Sequence, residues 1–154
     1  MANLDQIDRR LLAELQDEGR VTNVELAQRV GLTAPPCLRR VRALEDAGLI
    51  RGYHADLDGA KLGFAITVFA MVSLKSQAEE SLRQFEDHMR ALPEVRECHM
   101  LNGEIDFILK IVSRDLQSFQ EFLTSKLTPA PNVASVKTSL TIRTAKQLPG
   151  VPLD

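Results

Sequence analysis

The 154-residue chain has no tryptophan, a single tyrosine and six phenylalanines, so its interior must be built from aliphatic side chains. Two cysteines, Cys37 and Cys98, are too few for a disulfide framework, and reduced thiols are the simpler expectation. Long hydrophobic runs are missing as well. The longest apolar stretch, residues 64–74, is far shorter than the roughly 20 residues that cross a bilayer. The opening Met1-Ala2-Asn3-Leu4-Asp5 turns acidic at once and resembles no export signal, so a cytoplasmic protein that does not touch membranes is expected. Disorder is excluded by 44% hydrophobic and 26% charged residues.

An excess of either charge is also lacking. The chain carries 19 Lys+Arg against 21 Asp+Glu, net −2, which by itself argues against a polyanionic partner. Catalytic and metal motifs are equally scarce. His54, His88 and His99 form no pair at ligand spacing, and the adjacent Cys98 and His99 would point to opposite faces of a strand. Residues 59–63 (Gly-Ala-Lys-Leu-Gly) have neither the spacing nor the context of a phosphate loop. Cys37 has no sequence-near base and lies on an apolar stripe, where a small buried hydrophobe is expected. The expectation is therefore no metal, no cofactor and no enzyme.

What the chain does contain is a change of hydrophobic period near residue 60. Leu4, Ile7, Leu11, Leu12 and Leu15 recur at helical spacing up to Gly19. Thr22-Asn23-Val24-Glu25 is a capping box opening a second helix that ends at Gly31. Thr33 can cap a third helix, with Pro35 and Pro36 tolerated in its first turn. Residues 49–57 alternate weakly, like a short strand. Beyond them the pattern predicts a strand over 64–74, a helix over 78–92, and strands over 95–101 and 105–112 joined by an Asn102-Gly103 hairpin turn. A helix over 115–127 and a strand over 133–144 follow. The expected class is α+β: a three-helix helix-turn-helix, then a ferredoxin-like βαββαβ domain. Boundaries fall at 1–49, a strand or linker at 50–62, a ligand-binding and oligomerisation domain at 63–145, and a patternless tail at 146–154.

Charge is uneven in the first of these parts. Between residues 29 and 42 stand Arg29, Arg39, Arg40 and Arg42 without one acid. On the third helix Cys37, Val41 and Leu44 share one face, while Pro35, Arg39 and Arg42 lie opposite, with Pro36 and Arg40 at the flanks. An exposed arginine face on the second helix of such a pair can enter the major groove. Each arginine there can grip a guanine edge or clamp a phosphate. Thr33, Pro35, Pro36, Arg39, Arg40 and Arg42 are the candidate contacts to double-stranded DNA.

Several stretches then resemble one family: Leu4-Asp5-Gln6-Ile7-Asp8-Arg9, Gln16-Asp17-Glu18-Gly19-Arg20, Pro36-Cys37-Leu38-Arg39-Arg40-Val41, residues 44–50 (LEDAGLI) and residues 52–58 (GYHADLD). Together they resemble the Lrp/AsnC, or feast/famine, transcription regulators over essentially the whole chain. The resemblance implies homodimers paired through their sheets, often gathered into octamers or other multimers. It also implies an amino acid or related metabolite bound where effector domains meet. The family's loop, a glycine followed three residues later by an aspartate, is matched by Gly103-Glu104-Ile105-Asp106. The family more often has an acid and then an aromatic between the two. Asn102, Gly103, Glu104 and Asp106 are thus the implied effector residues, with a Gly103 N–H for a carboxylate and Asp106 for an ammonium group. Two rivals stand beside this reading. One is a stand-alone small-molecule-binding oligomer that does not touch DNA; the other is an enzyme using Asp106, Glu104 and His99.

Overall fold

The computed structural model describes residues 4–153, which divide into two compact units. One unit joins residues 4–56 to residues 146–153; the other is Leu57–Ala145. No helix among the described residues is long and apolar enough to cross a membrane.

The first unit holds α1 (Gln6–Asp17), α2 (Asn23–Val30) and α3 (Ala34–Asp46). Each start has a local cause. The Asp5 side chain caps α1 by accepting from the Asp8 N–H, and Asp8 reciprocates. Thr22 and Glu25 form the expected box on α2, and Gly31 closes that helix at φ 77°, where glycine carries no Cβ penalty. Thr33 occupies the N-cap of α3, but its hydroxyl caps nothing. The second and third residues of α3 are Pro35 and Pro36, which have no N–H to offer. The α3 start is tied down instead by Asn23 Nδ2, which donates to the Ala34 carbonyl at 2.8 Å. Leu11, Leu26, Ala27, Val30, Cys37, Val41 and Leu44 form an aliphatic core.

Residues 49–57 do not form the expected strand. They have no neighbouring strand to pair with, and a strand alone is not stable. Tyr53 uses this segment to cover Gly19, where an added Cβ would stand 3.3 Å from the ring, and its hydroxyl donates to Glu45 at 2.8 Å. The tail forms no helix or strand over residues 146–153, but one of its residues is anchored. The Gln16 amide donates to the Val151 carbonyl at 2.8 Å and accepts from the Val151 N–H at 2.9 Å. Gly150, at φ 67°, lies so close that a Cβ there would fall 1.8 Å from Gln16 Oε1.

The second unit is β1 (Ile66–Leu74), α4 (Glu79–Arg90), β2 (Val95–Met100), β3 (Phe107–Ser113), α5 (Leu116–Phe122) and β4 (Val133–Leu140). A single π-helical turn, Leu123–Leu127, prolongs α5. The antiparallel sheet runs β2-β3-β1-β4, the expected split βαβ arrangement. Strict alternation in β3 puts Phe107, Leu109 and Ile111 inward, where they meet Val68, Ala70, Val72, Phe85, Met89 and Phe119 from β1 and the helices. Phe85 and Phe107 pack with ring centroids 4.8 Å apart. β4 ends sooner than expected because β1 begins at Ile66. Leu140 pairs with Val68 and the Thr141 N–H reaches the Thr67 carbonyl, which leaves only Ile66 of β1 beyond.

The two-residue hairpin at Asn102-Gly103 is not formed. Such a turn needs positive φ at both central residues (type I′) or at the first (type II′), and neither residue has it. The loop spans residues 101–106 instead. The Leu101 N–H donates to the Asp106 carbonyl, while the Asp106 N–H is drawn to Val72 on β1. Pairing with the central strand overrides the local turn preference.

Candidate nucleic-acid interface and effector site

Helix α3 divides its residues by burial. Cys37, Val41 and Leu44 are buried, whereas Pro35, Leu38, Arg39, Arg42, Ala43 and Asp46 line one shallow depression open to solvent. Thr33 is exposed at the helix entrance and Pro36 is half-buried beside it. Arg39 and Arg42 have no ion-pair partner among the described residues.

Arg40 points elsewhere. Its Nη1 lies 2.7 Å from both Asp5 Oδ2 and Asp8 Oδ1, bracing α3 against the start of α1. The Asp5 carboxyl is held below its usual range first by the Asp8 backbone N–H and then by Arg40. Arg29 is likewise held, by Glu14 at 3.1 Å and Glu18 at 2.8 Å, bracing α2 against the end of α1. Two of the four arginines in the acid-free segment are therefore neutralised by α1. Their acids lie 11 to 35 residues upstream, so no search within one helical turn finds them. The positive face of α3 reduces to Arg39 and Arg42.

In the second unit, β1 and β2 end, and β3 and β4 begin, at one edge of the sheet. Loop 101–106 lies there, with Asn102, Gly103 and Glu104 exposed and Asp106 half-buried. Asp106 Oδ2 accepts from the Leu74 N–H at 2.6 Å, where β1–β4 pairing shifts register. Its other oxygen carries no hydrogen bond among the described residues. Gly103 has ordinary backbone angles, and nothing lies within 4 Å of where its Cβ would stand. Neither a positive φ nor close packing asks for glycine at this position. Two residues that the sequence did not single out belong to the same edge. Gln77 Nε2 reaches Asp106 Oδ2 at 3.5 Å, and Asn132, at φ 66°, donates from Nδ2 to the Ser76 carbonyl at 2.7 Å. The Pro131-Asn132 dipeptide was the available signal, since asparagine tolerates the left-handed region.

The rival catalytic set is not assembled. His99 contacts Glu97 at 3.2 Å on the open sheet face, Asp106 is held by Leu74, and no hydrogen bond links His99, Glu104 and Asp106 among the described residues. Cys98 lies half-buried against the core, and burial pushes its thiol up to about 11, away from the reactive thiolate. No cluster of His, Cys, Asp and Glu among the described residues is placed to hold a metal ion.

Comparison with known proteins bears on both surfaces. Residues 4–51 match the family described as winged helix-turn-helix DNA-binding, and residues 67–151 match the Lrp/AsnC ligand binding domain. The chain belongs to the Lrp/AsnC family. A leucine-responsive regulatory protein from Rhizobium meliloti is 53% identical over 143 residues, covering 93% of this chain and 92% of that one. A Bkd operon transcriptional regulator from Pseudomonas aeruginosa is 41% identical, covering 99% and 100%. A Neisseria meningitidis transcriptional regulator, solved as a complex with L-Met, superposes with TM-score 0.94 at 36% identity over 99% of this chain and 98% of that one. The Lrp/AsnC ligand-domain match runs to residue 151, past Ala145, where the second unit ends. It therefore takes in the tail that packs with the helix-turn-helix.

Proposed function

We propose that this chain is a cytoplasmic transcription regulator that reads operator DNA through α3 and changes its assembly or DNA affinity when it binds an amino acid. The carrying observation is the outward face of α3, where two unpaired guanidinium groups flank an apolar floor on the second helix of a helix-turn-helix. Thr33, Pro35, Pro36, Arg39 and Arg42 face the DNA in this reading. Arg40 serves by holding the helix in place.

A sheet-to-sheet homodimer, and multimers of it, are supported by the open face of the sheet. Phe69 is 37% exposed there, among half-buried Met71, Ile108 and Val112. Two recognition helices about one DNA turn apart would then meet a pseudo-palindrome. The effector is a zwitterion with an apolar side chain, a reading supported by relatives named as leucine-responsive or solved with L-Met. Its carboxylate takes the backbone N–H of the exposed Gly103, and its ammonium takes the free oxygen of Asp106. Regulation requires the ligand to prefer one assembly over another.

Asp106→Asn tests the effector site. The amide oxygen still accepts from the Leu74 N–H, so the fold stays, but the charge facing an ammonium group is gone. An amino acid at 100 times its dissociation constant should stabilise the wild type by about 2.7 kcal/mol and leave the variant unmoved. An equal thermal shift in both overturns the site. Absence of operator binding by the full chain would favour the stand-alone small-molecule binder.

A further inference from the structure

The outward face of α3 is not uniformly charged. Leu38, 39% exposed, lies with Pro35 and Ala43 on the floor of the depression whose walls carry Arg39, Arg42 and Asp46. A lone exposed leucine is unremarkable on a protein surface. Leu38 differs because of its company: three apolar side chains share one helical face with two guanidinium groups that have no acid partner among the described residues. Arg40, one position further, is turned back to Asp5 and Asp8, so its charge does not compete for the groove. A leucine whose role was to anchor α3 would lie with Cys37, Val41 and Leu44, which are buried on the opposite side.

A major groove offers almost nothing apolar. Base edges there carry carbonyl oxygens, ring nitrogens and amino groups, and the sole aliphatic feature is the C5-methyl group of thymine. From Pro35 to Ala43 an α-helix advances about 12 Å, so the apolar floor spans at most three to four base-pair steps. Arginine beside it supplies the pairing to guanine O6 and N7, or the clamp on a neighbouring phosphate.

We infer that Leu38, with Pro35 and Ala43 beside it, reads thymine methyl groups, making this face specific for thymine set next to the position gripped by Arg39 or Arg42. The inference rests on the DNA-reading role proposed above and adds which base feature the apolar residues recognise. It also assigns Asp46 a discriminating task at the helix end. Its carboxylate can accept only from an exocyclic amino group, that of cytosine or adenine, and it repels a phosphate placed there.

Replacing thymine by deoxyuridine removes the methyl and leaves every hydrogen-bonding group in place. The experiment takes duplexes enriched from a random pool by the full-length protein and substitutes uracil one position at a time. Affinity is measured for the wild type and for Leu38→Ala, whose exposed side chain can be shortened without opening the core. For the wild type, uracil at the contacted position weakens binding about four-fold per methyl group lost, the worth of one buried methylene. Leu38→Ala binds the thymine duplex more weakly by a similar factor and no longer distinguishes thymine from uracil. Equal wild-type affinity for both duplexes at every position overturns the inference alone. A thymine preference that persists undiminished in Leu38→Ala overturns the assignment to Leu38. Failure of the pool to enrich at all removes the DNA-reading role, and the inference with it.

Discussion

Replacing Arg40 by alanine separates two roles that an arginine on a recognition helix can have. If Arg40 contacted phosphate, its removal would release fewer counterions on binding. The logarithm of affinity falls with the logarithm of salt at a slope of about −0.9 per phosphate neutralised, so a dimer losing two such contacts would have a slope shallower by about 1.8. The geometry predicts no such change. The guanidinium is already satisfied by Asp5 and Asp8 at 2.7 Å each, and it is removed from the DNA budget before binding begins. Arg40→Ala should instead lower the thermal midpoint of the helix-turn-helix unit, because two carboxylates beside α1 lose their shared cation. Arg42→Ala should do the converse, leaving the midpoint within a degree or two and flattening the slope by up to about 1.8. Fluorescence anisotropy with a labelled duplex, titrated at several salt concentrations well below each midpoint, supplies the slopes. Calorimetry supplies the midpoints. A shallower slope for Arg40→Ala with an unchanged midpoint would refute the bracing role.

Tyr53 is the only tyrosine and there is no tryptophan, so phenolate absorbance titrates a single group. Burial first and the Glu45 carboxylate second push it up to about 12, and a midpoint at the ordinary 10 would show that the linker does not pack on α1. A raised acid contributes stability that is whole below pH 10 and is lost as pH climbs through the folded value. The opposite sign holds at low pH. Glu25 is held below its usual range by the Thr22 hydroxyl, and Asp115 by the Ser118 backbone N–H, so their stability is present above about pH 4.5 and lost below it. Thermal midpoints should stay level from pH 7 to about 5 and then fall, and a rise on acidification would contradict the assignment. Phe107→Ala empties space beside Phe85 in the fully buried core and should cost about 3–5 kcal/mol in denaturant unfolding; a loss under 1 kcal/mol would contradict close packing of Phe107 on Phe85. Gly150→Ala should expose the Val151 amide to exchange, since the added methyl displaces Gln16, and unchanged protection would count against that contact.

The features legible in the sequence are those whose causes are local. The Thr22–Glu25 box, the Gly31 stop and the 3.6-residue stripes each declare themselves within four residues, and the βαββαβ order follows from where the period changes. Thr33 failed as a cap for an equally local reason that the residues did contain: the prolines behind it have no hydrogen to donate. Other features depended on distant chain. Arg29 and Arg40 looked free because Glu14, Glu18, Asp5 and Asp8 meet them only after three helices pack. Asn102-Gly103 looked like a tight turn until β1 captured the Asp106 amide. The tail looked shapeless because Gln16, its partner, lies 135 residues away.

That last separation has a consequence for how the protein is made. In connectivity, Leu57–Ala145 is an insertion: the chain leaves the helix-turn-helix unit after Asp56 and returns to it at Lys146. A ribosome completes the three helices early, but the residue that receives Gln16 emerges only after the whole βαββαβ unit has been synthesised. The DNA-reading half is therefore finished last. A nascent or prematurely terminated chain carries the arginines of α3 without the closing tail, and the polypeptide holds its full reading unit only once its sensing unit already exists.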